Sequence, residues 1–526
     1  SCTTFSKPFF EDQMMPMGRL RESISGIQRA DALFVNRCPH DFNASEFTQK
    51  AAQAFESYAN TTTEKRAQFL TDIADNIEAL GDALLEQANK ETNLPLARLQ
   101  GERGRTCFQL RMFAAMLLKG DYVDATIDTA IPDKTPAKPD IRKMLYPLGP
   151  VVVFGASNFP FAYSTAGGDT ASALAVGCPV IVKAHPGHLQ TSTMVAGAIH
   201  KAVQKNELPA FVFQHVTDTS FETGKSLVQD EHIAAVGFTG SRSGGRALLD
   251  YSSSRQNPIP VFSEMGSVNP VVLLEDALQK NGTTIAKNYA GSITLGVGQF
   301  CTNPGILIGV KSESLHEFAT SLANEMDAVV PASMLHEGIQ SAYHKNSMLA
   351  LAQQGIQCLT KNTPDANAAF PVLTTVDGAT FLSNPTLSEE VFGPYSILVQ
   401  CDSINQLKEV WKSLKGQIST TLMGTDADFD QHPELLNIAT SIAGRVLLSG
   451  VPTGVEVCES MVHGGPYPAT TDSRFTAVGV GAVKRWLRPI SFQNWPNHLL
   501  PLALKNENPK AIWRSVDGQL TKDSVN

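Results

Sequence analysis

At residues 151–160 the chain reads Val-Val-Val-Phe-Gly-Ala-Ser-Asn-Phe-Pro. Four apolar residues, three of them β-branched, run into a turn that contains glycine and proline. A run of this kind is typical of a buried parallel strand that ends in a loop. We therefore predict a strand at 151–154 and a helix that opens after the turn and runs through Ala175.

The same alternation of strand and helix continues toward the C-terminus. Further apolar runs predict strands at residues 180–183, 211–216 and 234–238. A helix from about Leu189 to Val203 follows the first of these, and each of the others is followed by a plausible helix. Units of about 25–30 residues indicate parallel strands and an α/β layer of the nucleotide-binding type.

The segments on either side of this layer have different patterns. Residues 45 to 118 carry apolar side chains at helical spacing, and Thr63 followed by Glu64 predicts a helix cap. Residues 121–142 alternate like an exposed strand and then become rich in proline. Strands at 259–263 and 271–274 are predicted to open a second α/β region that continues to about residue 460.

The composition excludes several classes of protein. The chain has 526 residues, of which 42% are hydrophobic and 18% charged, and its net charge is −9. These values are those of an ordinary globular protein, so disorder and coiled coil are excluded, and the length suits two to four domains of about 150 residues. A non-specific nucleic-acid binder would need the opposite charge balance, so we expect no nucleic-acid partner.

Membrane spans and cysteine scaffolds are not expected either. Two long uncharged stretches, 144–168 and 288–310, are interrupted by proline, glycine or amide residues and read as parts of a soluble protein. No apolar signal segment stands at the N-terminus, which favours a cytoplasmic location. The eight cysteines occur singly, which argues against a zinc ribbon or a disulfide scaffold.

Several common motifs are absent. There is no complete GxGxxG fingerprint, no Walker loop and no HExxH motif. His185 and His188 have a spacing that metals sometimes use, but Pro186 and Gly187 between them indicate a loop. We take both histidines as non-ligands and expect no metal site.

A cysteine in unusual surroundings is the first chemical signal. The segment Gly296-Val-Gly-Gln-Phe-Cys301-Thr-Asn-Pro-Gly305 sets a thiol on tight, irregular backbone, where small neighbours let a substrate approach. Such backbone presents a nucleophilic thiol and leaves its own N–H free to bind an oxyanion. On this segment alone, a buried cysteine in a glycine-rich turn is an equally good interpretation.

A carboxylate that interrupts an apolar strand is the second signal. In Val261-Phe-Ser-Glu264-Met-Gly-Ser-Val-Asn-Pro270, Glu264 stands just before a glycine turn. Burial raises a carboxyl pKa toward the working range of a general base. The alternative is an exposed glutamate at the end of a strand.

Five segments together resemble the non-acylating, NAD(P)-dependent aldehyde dehydrogenases. The cysteine segment resembles the family's G-Q-x-C-x-x-P pattern, and Phe262-Ser-Glu264-Met-Gly resembles its glutamate motif. Asn158-Phe-Pro160 resembles the family's N-F-P motif. Gly237-Phe-Thr-Gly240-Ser241-Arg-Ser-Gly-Gly245 resembles its phosphate-side turn, and Ser388-Glu-Glu390-Val-Phe392-Gly-Pro394 its E-E-x-F-G-P motif. All five segments occur in the family's order.

The resemblance implies a catalytic role for three of these residues. Cys301 attacks the aldehyde, and the side chain of Asn158 and the backbone N–H of Cys301 hold the oxyanion. Glu264 activates the water that hydrolyses the resulting thioester. Ser157 stands where the family usually has tryptophan, so the substrate-side wall is expected to differ.

The resemblance also implies a cofactor site for NADP or NAD. Lys183 and Glu390 are expected to hold the two ribose rings, and Phe392 to pack near the nicotinamide ribose. Ser241, in the turn with Gly240 and Gly245, suits the pyrophosphate at a helix N-terminus. Pro186 stands where NAD-specific members usually place a glutamate that repels a 2′-phosphate, so NADP is expected to be accepted at least as well as NAD.

The implied fold is the α/β aldehyde dehydrogenase fold, with a Rossmann-like cofactor domain, an α/β catalytic domain and a small β oligomerisation element. Its domains are an atypical N-terminal segment, the cofactor domain with the oligomerisation strand inserted, the catalytic domain and a C-terminal return: 1–44, 45–262 with 121–142, 263–465 and 466–526. The strand near residue 125 would be an unprotected edge in a monomer, which favours a homodimer or homotetramer.

The segment around His463 narrows the substrate. Val462-His463-Gly-Gly-Pro-Tyr-Pro468 resembles a branch that comprises α-ketoglutarate semialdehyde dehydrogenases and a long-chain aldehyde dehydrogenase of luminous bacteria, in which the histidine is near the thiol. His463 could then assist thiolate formation, although a hydrogen-bonded loop histidine is the simpler interpretation. The D-x-R sequence of Asp472 and Arg474 favours the first substrate, with Arg474 on its carboxylate.

Other interpretations stay open at this stage. Asp472 and Arg474 can simply pair with each other on the surface, and Arg111 and Arg142 are further candidates for the carboxylate ligand. A long-chain fatty aldehyde is the alternative substrate. A coenzyme A-acylating dehydrogenase is disfavoured by Glu264, and a non-catalytic homologue by the joint presence of Cys301, Glu264 and Asn158.

Overall fold

The computed structural model describes residues 3–4, 35–36, 43–361 and 368–525. The predicted N-terminal segment 1–44 therefore lies almost wholly outside the described residues. Within that segment one short parallel pair joins Thr3–Thr4 to Val35–Asn36. Among the described residues, no helix is long and apolar enough to cross a membrane.

The chain continues with four helices, as the helical spacing predicted: Ala44–Tyr58, Thr63–Glu78, Gly81–Thr92 and Leu96–Lys119. Phe69 and Ile73 of the second helix are fully buried, and this helix packs mainly on the fourth. The cap of the second helix is Thr62 rather than Thr63, since the Thr62 hydroxyl accepts the N–H of Lys65.

The first sheet is parallel and has five strands, in the order Phe213–Val216, Val180–Lys183, Val151–Phe154, Ala235–Thr239 and Val261–Glu264. Its helices are Gly168–Ala175, Leu189–Lys205, Phe221–Gln229 and Arg242–Ser253. The strand predicted at 259–263 was assigned to the wrong region. It is an edge strand of this first sheet, because it pairs with Ala235–Thr239 in parallel.

The helix predicted to follow Pro160 begins only at Gly168. Residues 155–167 form irregular turns that fold back on themselves. A side chain at Gly167 would collide with the backbone of Ala162 and Ser164, so glycine is needed for this close approach. The loop after the first predicted strand is therefore longer than the sequence indicated, and it carries Asn158.

The second sheet has seven strands, in the order Gln357–Cys358, Val372–Asp377, Tyr395–Cys401, Ile306–Val310, Val271–Leu273, Gln417–Met423 and Ala443–Leu448. All are parallel except the first, which is antiparallel to its neighbour. The helices of this region are Glu275–Thr294, Glu313–Asp327, Glu337–Leu351, Gly378–Ser383, Ile404–Ser413, Asp426–Gln431 and Leu435–Ile442.

The third sheet has five strands, in the order Leu487–Gln493, Ile141–Pro147, Thr126–Asp128, Arg514–Val516 and Gln519–Thr521. The sequence predicted that the strand near residue 125 is an unprotected edge, and this prediction is wrong. The strand lies in the middle of this sheet, and Ile127 is fully buried. The edges are formed by Leu487–Gln493 and Gln519–Thr521.

Short 3₁₀ helices connect these elements: Asp121–Val123, Pro186–His188, Ala210–Val212, Leu295–Gly298, Pro385–Ser388, Val480–Trp486, Asn497–Leu499 and Leu502–Leu504. The catalytic candidates meet between two sheets. Asn158 and Glu264 follow or end strands of the first sheet, whereas Cys301 comes shortly before Ile306–Val310 of the second. Ligands of open α/β sheets bind at the carboxyl ends of strands, which is where Glu264 stands.

Candidate active site

Cys301 lies on a tightly turned loop between a helix and a strand. Gly296, Val297 and Gly298, just before it, have φ angles of 54°, 60° and 66°. Glycine adopts such angles readily, whereas for the β-branched Val297 they are strained. The thiol is therefore presented by irregular backbone, as the sequence predicted, and its side chain is partly accessible.

Asn269, in the segment that follows the strand Val261–Glu264, holds this loop in place. Its Nδ2 donates hydrogen bonds to the carbonyls of Cys301 and Asn303, both at 2.9 Å. Asn269 is fully buried, and its Oδ1 accepts the hydroxyls of Ser267 and Ser419. Sequence reasoning gave Asn269 no role, although its position before a proline directly after the glutamate motif was a usable signal.

Glu264 and His463 complete a compact group around the thiol. The Nε2 atom of His463 lies 2.9 Å from Oε1 of Glu264 and 3.6 Å from Sγ of Cys301. Glu264 and His463 are 4% and 1% exposed. The predicted buried carboxylate is thus found beside the predicted nucleophile, and His463 contacts both.

The charges in this group follow from its burial. Burial raises the pKa of Glu264, but His463 and the thiol of Cys301 more than offset this effect, so the pKa lies below its usual value. Burial and the adjacent Glu264 carboxylate raise the pKa of the Cys301 thiol well above its usual value. The resting group therefore contains a carboxylate and a neutral thiol.

The ring proton of His463 can be assigned from its surroundings. Its Nδ1 atom is buried and has no hydrogen-bond partner in the part of the chain that the structure describes. A proton there would be unpaired, whereas a proton on Nε2 is donated to Glu264. With the ring neutral we therefore assign the proton to Nε2, where it also faces the sulfur.

Glu264, Cys301 and His463 are also spaced like a group that could hold a metal ion. Their donor atoms all lie within 4.8 Å of one another, and no other group of three His, Cys, Asp or Glu residues in the described ranges is this compact. His185 and His188 belong to a turn instead. The Nδ1 atom of His185 accepts the N–H of Gly187, and Nε2 of His188 bonds the carbonyl of Ala156.

Asn158 lies across the site from Glu264. One N–H of its amide donates to the carbonyl of Gln299 at 3.0 Å, which leaves the second N–H available. The backbone carbonyl of Asn158 accepts a hydrogen bond from Nη2 of Arg98 at 2.7 Å. Ser157 is half-buried beside it. The backbone N–H of Cys301 has no acceptor among the described residues, so two donors remain for an oxyanion.

The cofactor candidates of the first sheet lie around the carboxyl ends of its strands. Ser241 caps the helix Arg242–Ser253, and its hydroxyl accepts the N–H of Gly244 at 3.2 Å. The N–H of Gly240 donates to the Glu264 carbonyl, and a side chain at Gly245 would collide with Met265. An exposed helix N-terminus on a glycine turn fits a pyrophosphate.

Lys183 and Pro186 lie on the neighbouring strand end. Lys183 ends its strand, and burial lowers the pKa of its ammonium group although Asp218 opposes the effect. Pro186 begins the 3₁₀ helix Pro186–His188. No carboxylate therefore stands three residues after the lysine.

Glu390 and Phe392 line a small cavity next to the loop that carries Cys301. Ser267, Val268 and Asn303 line the same cavity. Burial raises the pKa of Glu390 to about 7, even though the Ser267 N–H donates to it. Both residues thus stand where a ribose near the reacting atoms could be held.

The structure does not bring the predicted carboxylate ligand to the site. The side chain of Arg474 is 79% exposed, and its guanidinium pairs with Asp472 at 2.8 and 2.5 Å. Arg111 pairs with carboxylates on the surface, and Arg142 pairs with Asp140 in the third sheet. Each of these arginines is paired with a neighbouring carboxylate in the structure.

Residues 35–428 match the sequence model of the aldehyde dehydrogenase family. The chain belongs to the aldehyde dehydrogenase family. Its activity is therefore NAD(P)-dependent oxidation of aldehydes, and the resemblance that the five motifs indicated is confirmed.

Two similar relatives narrow the comparison within this family. The chain is 47% identical over 479 residues to an α-ketoglutaric semialdehyde dehydrogenase of Acinetobacter baylyi, which covers 90% of this chain and 91% of the relative. It is also 47% identical over 472 residues to α-ketoglutaric semialdehyde dehydrogenase 2 of Azospirillum brasilense, with 89% and 90% covered.

A solved structure confirms the predicted fold class. Glyceraldehyde-3-phosphate dehydrogenase of Methanocaldococcus jannaschii, complexed with NADP, superposes with a TM-score of 0.72 over 86% of this chain and 93% of that one. The sequence identity is 18%, so this similarity concerns the fold alone. The α/β fold of aldehyde dehydrogenases predicted from the motifs is the one that the chain adopts.

Proposed function

We propose that this aldehyde dehydrogenase oxidises α-ketoglutarate semialdehyde (2,5-dioxopentanoate) to 2-oxoglutarate. The observation that carries the substrate is the 47% identity, over about nine tenths of the chain, to two relatives named for that reaction. The cluster of Cys301, Glu264 and His463 supports the chemistry.

The first step is addition of the thiol to the aldehyde. Cys301 transfers its proton to Glu264, the carboxylate that it already faces, and its sulfur bonds the aldehyde carbon while the carbonyl oxygen takes the negative charge. The free N–H of the Asn158 amide and the N–H of Cys301 donate to that oxygen. Each donor of this kind contributes about 3 kcal/mol to the transition state.

The second half of the reaction removes the acyl group. A bound nicotinamide supplies the hydride acceptor. Loss of hydride leaves the acyl group on Cys301 as a thioester. Glu264, after passing its proton to solvent, takes a proton from water, the hydroxide attacks the thioester carbon, and the carbon–sulfur bond breaks to release the acid. Nε2 of His463 holds Glu264 in position and faces the departing sulfur.

We also propose that NADP is accepted at least as well as NAD. Lys183 and Glu390 would hold the riboses, Phe392 would pack near the nicotinamide ribose, and Ser241 with Gly240 and Gly245 would receive the pyrophosphate. The support for NADP is Pro186, since no carboxylate at that position repels a 2′-phosphate. A preference for NAD of about a hundredfold in kcat/KM would contradict this proposal.

The assembly and location complete the proposal. The third sheet ends in the strand Leu487–Gln493, whose outer edge is unpaired in the described ranges, and such an edge favours a homodimer or homotetramer. A catalytic thiol and a nicotinamide pool suit the reducing cytoplasm. We retain the predicted domains, with 121–142 inserted in the first and the atypical segment 1–44 before them, but move the boundary at 262 to 264 because Val261–Glu264 is one strand of the first sheet: 45–264, 265–465 and 466–526.

A panel of aldehydes tests the substrate. The rate of NAD(P)H formation is measured for 2,5-dioxopentanoate, succinate semialdehyde, hexanal and tetradecanal, with and without coenzyme A. We expect the highest kcat/KM for 2,5-dioxopentanoate without coenzyme A, and no turnover by Cys301→Ala.

The other outcomes favour other functions. A preference for tetradecanal would favour a long-chain aldehyde dehydrogenase, and dependence on coenzyme A would favour an acylating enzyme. Absence of turnover with every aldehyde would favour a non-catalytic homologue. Normal turnover by Cys301→Ala would overturn the mechanism for any of them.

A further inference from the structure

An arginine beside the thiol has an unused hydrogen-bonding group. Arg98 lies in the first turn of the helix Leu96–Lys119, about 200 residues before the nucleophile in the sequence. Its Cζ atom lies 4.7 Å from the ring centre of Phe300 and 5.1 Å from that of Phe159. These two rings belong to the residues adjacent to Cys301 and Asn158.

The guanidinium of Arg98 is held but not neutralised. Nη2 donates to the carbonyl of Asn158 at 2.7 Å, whereas Nη1 is buried and has no partner among the described residues. In those same residues Arg98 takes part in no ion pair. Glu102 acts on this cation only from beyond ion-pair distance, and a buried cation with no carboxylate in contact is unfavourable, so the group is suited to receive an anion.

The one carboxylate nearby is engaged elsewhere. Glu102, one turn further along the helix, accepts the backbone N–H groups of Phe161 and Ala162 through Oε1 at 2.9 and 3.0 Å. These bonds fix the carboxylate on the loop that carries Asn158, outside ion-pair distance of Arg98. Burial raises the pKa of Glu102, although these two hydrogen bonds and the charges of Arg98 and Arg105 act in the opposite direction.

Arg105 faces the same space from two turns along the helix. Its Nη1 donates to the carbonyl of Val455 at 3.0 Å, and its Nη2 to the hydroxyl of Tyr163 at 3.4 Å. Both terminal nitrogens are therefore used within the protein. Arg105 contributes positive charge on the thiol side of the helix, but Arg98 has the free terminal N–H group.

We propose that Arg98 binds the carboxylate of the substrate and thereby sets the preference for a semialdehyde that carries an acid. This inference rests on the proposed function. In 2,5-dioxopentanoate three carbons separate the carboxylate from the aldehyde carbon, so the acid must be bound close to Cys301. The guanidinium packs on Phe300, the residue before Cys301, and is paired with no carboxylate, unlike that of Arg474.

The test compares a charged and an uncharged aldehyde. Steady-state kinetics are measured for 2,5-dioxopentanoate and pentanal, which have the same chain length, with wild type, Arg98→Gln, Arg98→Lys and the control Arg103→Gln. Arg103 is on the same helix, but its guanidinium binds the carbonyl of Gly81 away from the thiol.

We expect Arg98→Gln to raise KM for the dioxo acid by about tenfold to a hundredfold, the range of a hydrogen-bonded charge. Its kcat/KM for pentanal should fall by a clearly smaller factor than that for the dioxo acid, because pentanal has no carboxylate for Arg98 to bind. Arg98→Lys retains the charge and should recover part of the loss, which keeps the test valid if the glutamine variant does not fold. Arg103→Gln should match wild type with both aldehydes.

Two results would overturn the inference. An equal fall in kcat for both aldehydes would mean that Arg98 only supports Asn158, and an unchanged KM for the dioxo acid would remove Arg98 from substrate binding. Both leave the proposed function intact. If wild type itself uses pentanal as well as the dioxo acid, the proposed substrate fails instead.

Discussion

The Glu264 carboxylate is the group that accepts the proton of the Cys301 thiol in the proposed mechanism. Burial and Glu264 keep the thiol neutral in the free enzyme, so its reactivity without substrate depends on the small fraction of thiolate. Since the pKa lies well above the usual value, that fraction rises with pH throughout the neutral range.

Alkylation of the free enzyme measures this directly. We expect the rate of Cys301 modification by iodoacetamide to rise about tenfold per pH unit between pH 7 and 9, without a plateau. Mass spectrometry of the peptide with Cys301 separates it from Cys358, which is exposed and serves as the internal control. A plateau near pH 7 would mean that the resting residue is a thiolate.

His463 affects the same proton through Glu264. Replacement by alanine removes the Nε2 donor at 2.9 Å, leaving the buried carboxylate with fewer partners and a raised pKa. We expect His463→Ala to slow the first burst of NAD(P)H by about tenfold to a hundredfold while cofactor binding is unchanged. Stopped-flow absorbance and a cofactor titration measure the two quantities, and an unchanged burst would exclude the role.

The residues that sequence reasoning found are those that stand in motifs. Cys301, Glu264 and Asn158 each lie in a glycine- or proline-bounded segment whose backbone serves the side chain. For Arg474 the structure favours the alternative of a surface pair with Asp472, and a sequence does not reveal whether an arginine faces a cleft or the carboxylate two residues away. Arg98 was missed because it lies on an ordinary helix, far from the thiol in sequence.

At the scale of elements, two loops must approach closely for the site to form. Gly298, before the thiol, packs directly on Gly393 and Pro394, which follow Glu390 and Phe392. A side chain at Gly298 would collide with the backbone of both residues, and its φ of 66° disfavours any other residue. The loop that carries Cys301 and the E-E-x-F-G-P motif that carries Glu390 and Phe392 can therefore approach this closely only because residue 298 has no side chain.

Gly298→Ala should separate these two loops. We expect it to lower kcat/KM by at least about a hundredfold and the free energy of unfolding by about 2–4 kcal/mol. The control is Gly291→Ala on the exposed face of the helix Glu275–Thr294, where a Cβ meets nothing within 4 Å, and which should be neutral or slightly stabilising. Activity and thermal unfolding are measured on both, and a fully active Gly298→Ala would contradict the packing argument.

Strands of the first sheet were predictable because they are short, continuous apolar runs. Val151–Phe154 and Val180–Lys183 match the prediction in both ends. What the pattern could not give was partnership: the strand at 261–264 reads like the start of a second region, yet it pairs with the first sheet. Similarly, the strand Thr126–Asp128 is covered by C-terminal residues nearly 400 positions away, and local alternation gave no sign of that pairing.

At the scale of the whole molecule, the first sheet and its helices bury several histidines. Burial, with neighbouring histidines, lowers the pKa of His185 and of His215 to about 3, and burial lowers that of His200 to about 4. Lys183 also acts on His185. These imidazoles are therefore neutral in the folded protein at any pH near neutrality, and they charge only when the chain unfolds.

The consequence is a loss of stability in mild acid. An unfolded histidine titrates near pH 6.5, so below that pH the unfolded chain binds protons that the folded protein does not, and the free energy of unfolding falls as the pH drops from about 6.5 toward 3. Above pH 6.5 the contribution is fully present. At pH 5 each of the three groups should lower the unfolding free energy by about 2 kcal/mol.

Unfolding by urea at pH 7.5 and pH 5.0, followed by tryptophan fluorescence, tests this with His185→Asn. Asparagine retains an acceptor for the N–H of Gly187, which His185 Nδ1 binds at 3.0 Å, but it cannot take up a proton. We expect the difference between the two pH values to be smaller by about 2 kcal/mol in the variant, because one of the three titrating groups is gone. If the variant lost as much stability as the parent protein on acidification, the loss would have to come from other histidines whose folded-state pKa is lowered, such as His188 and His336, and not from His185.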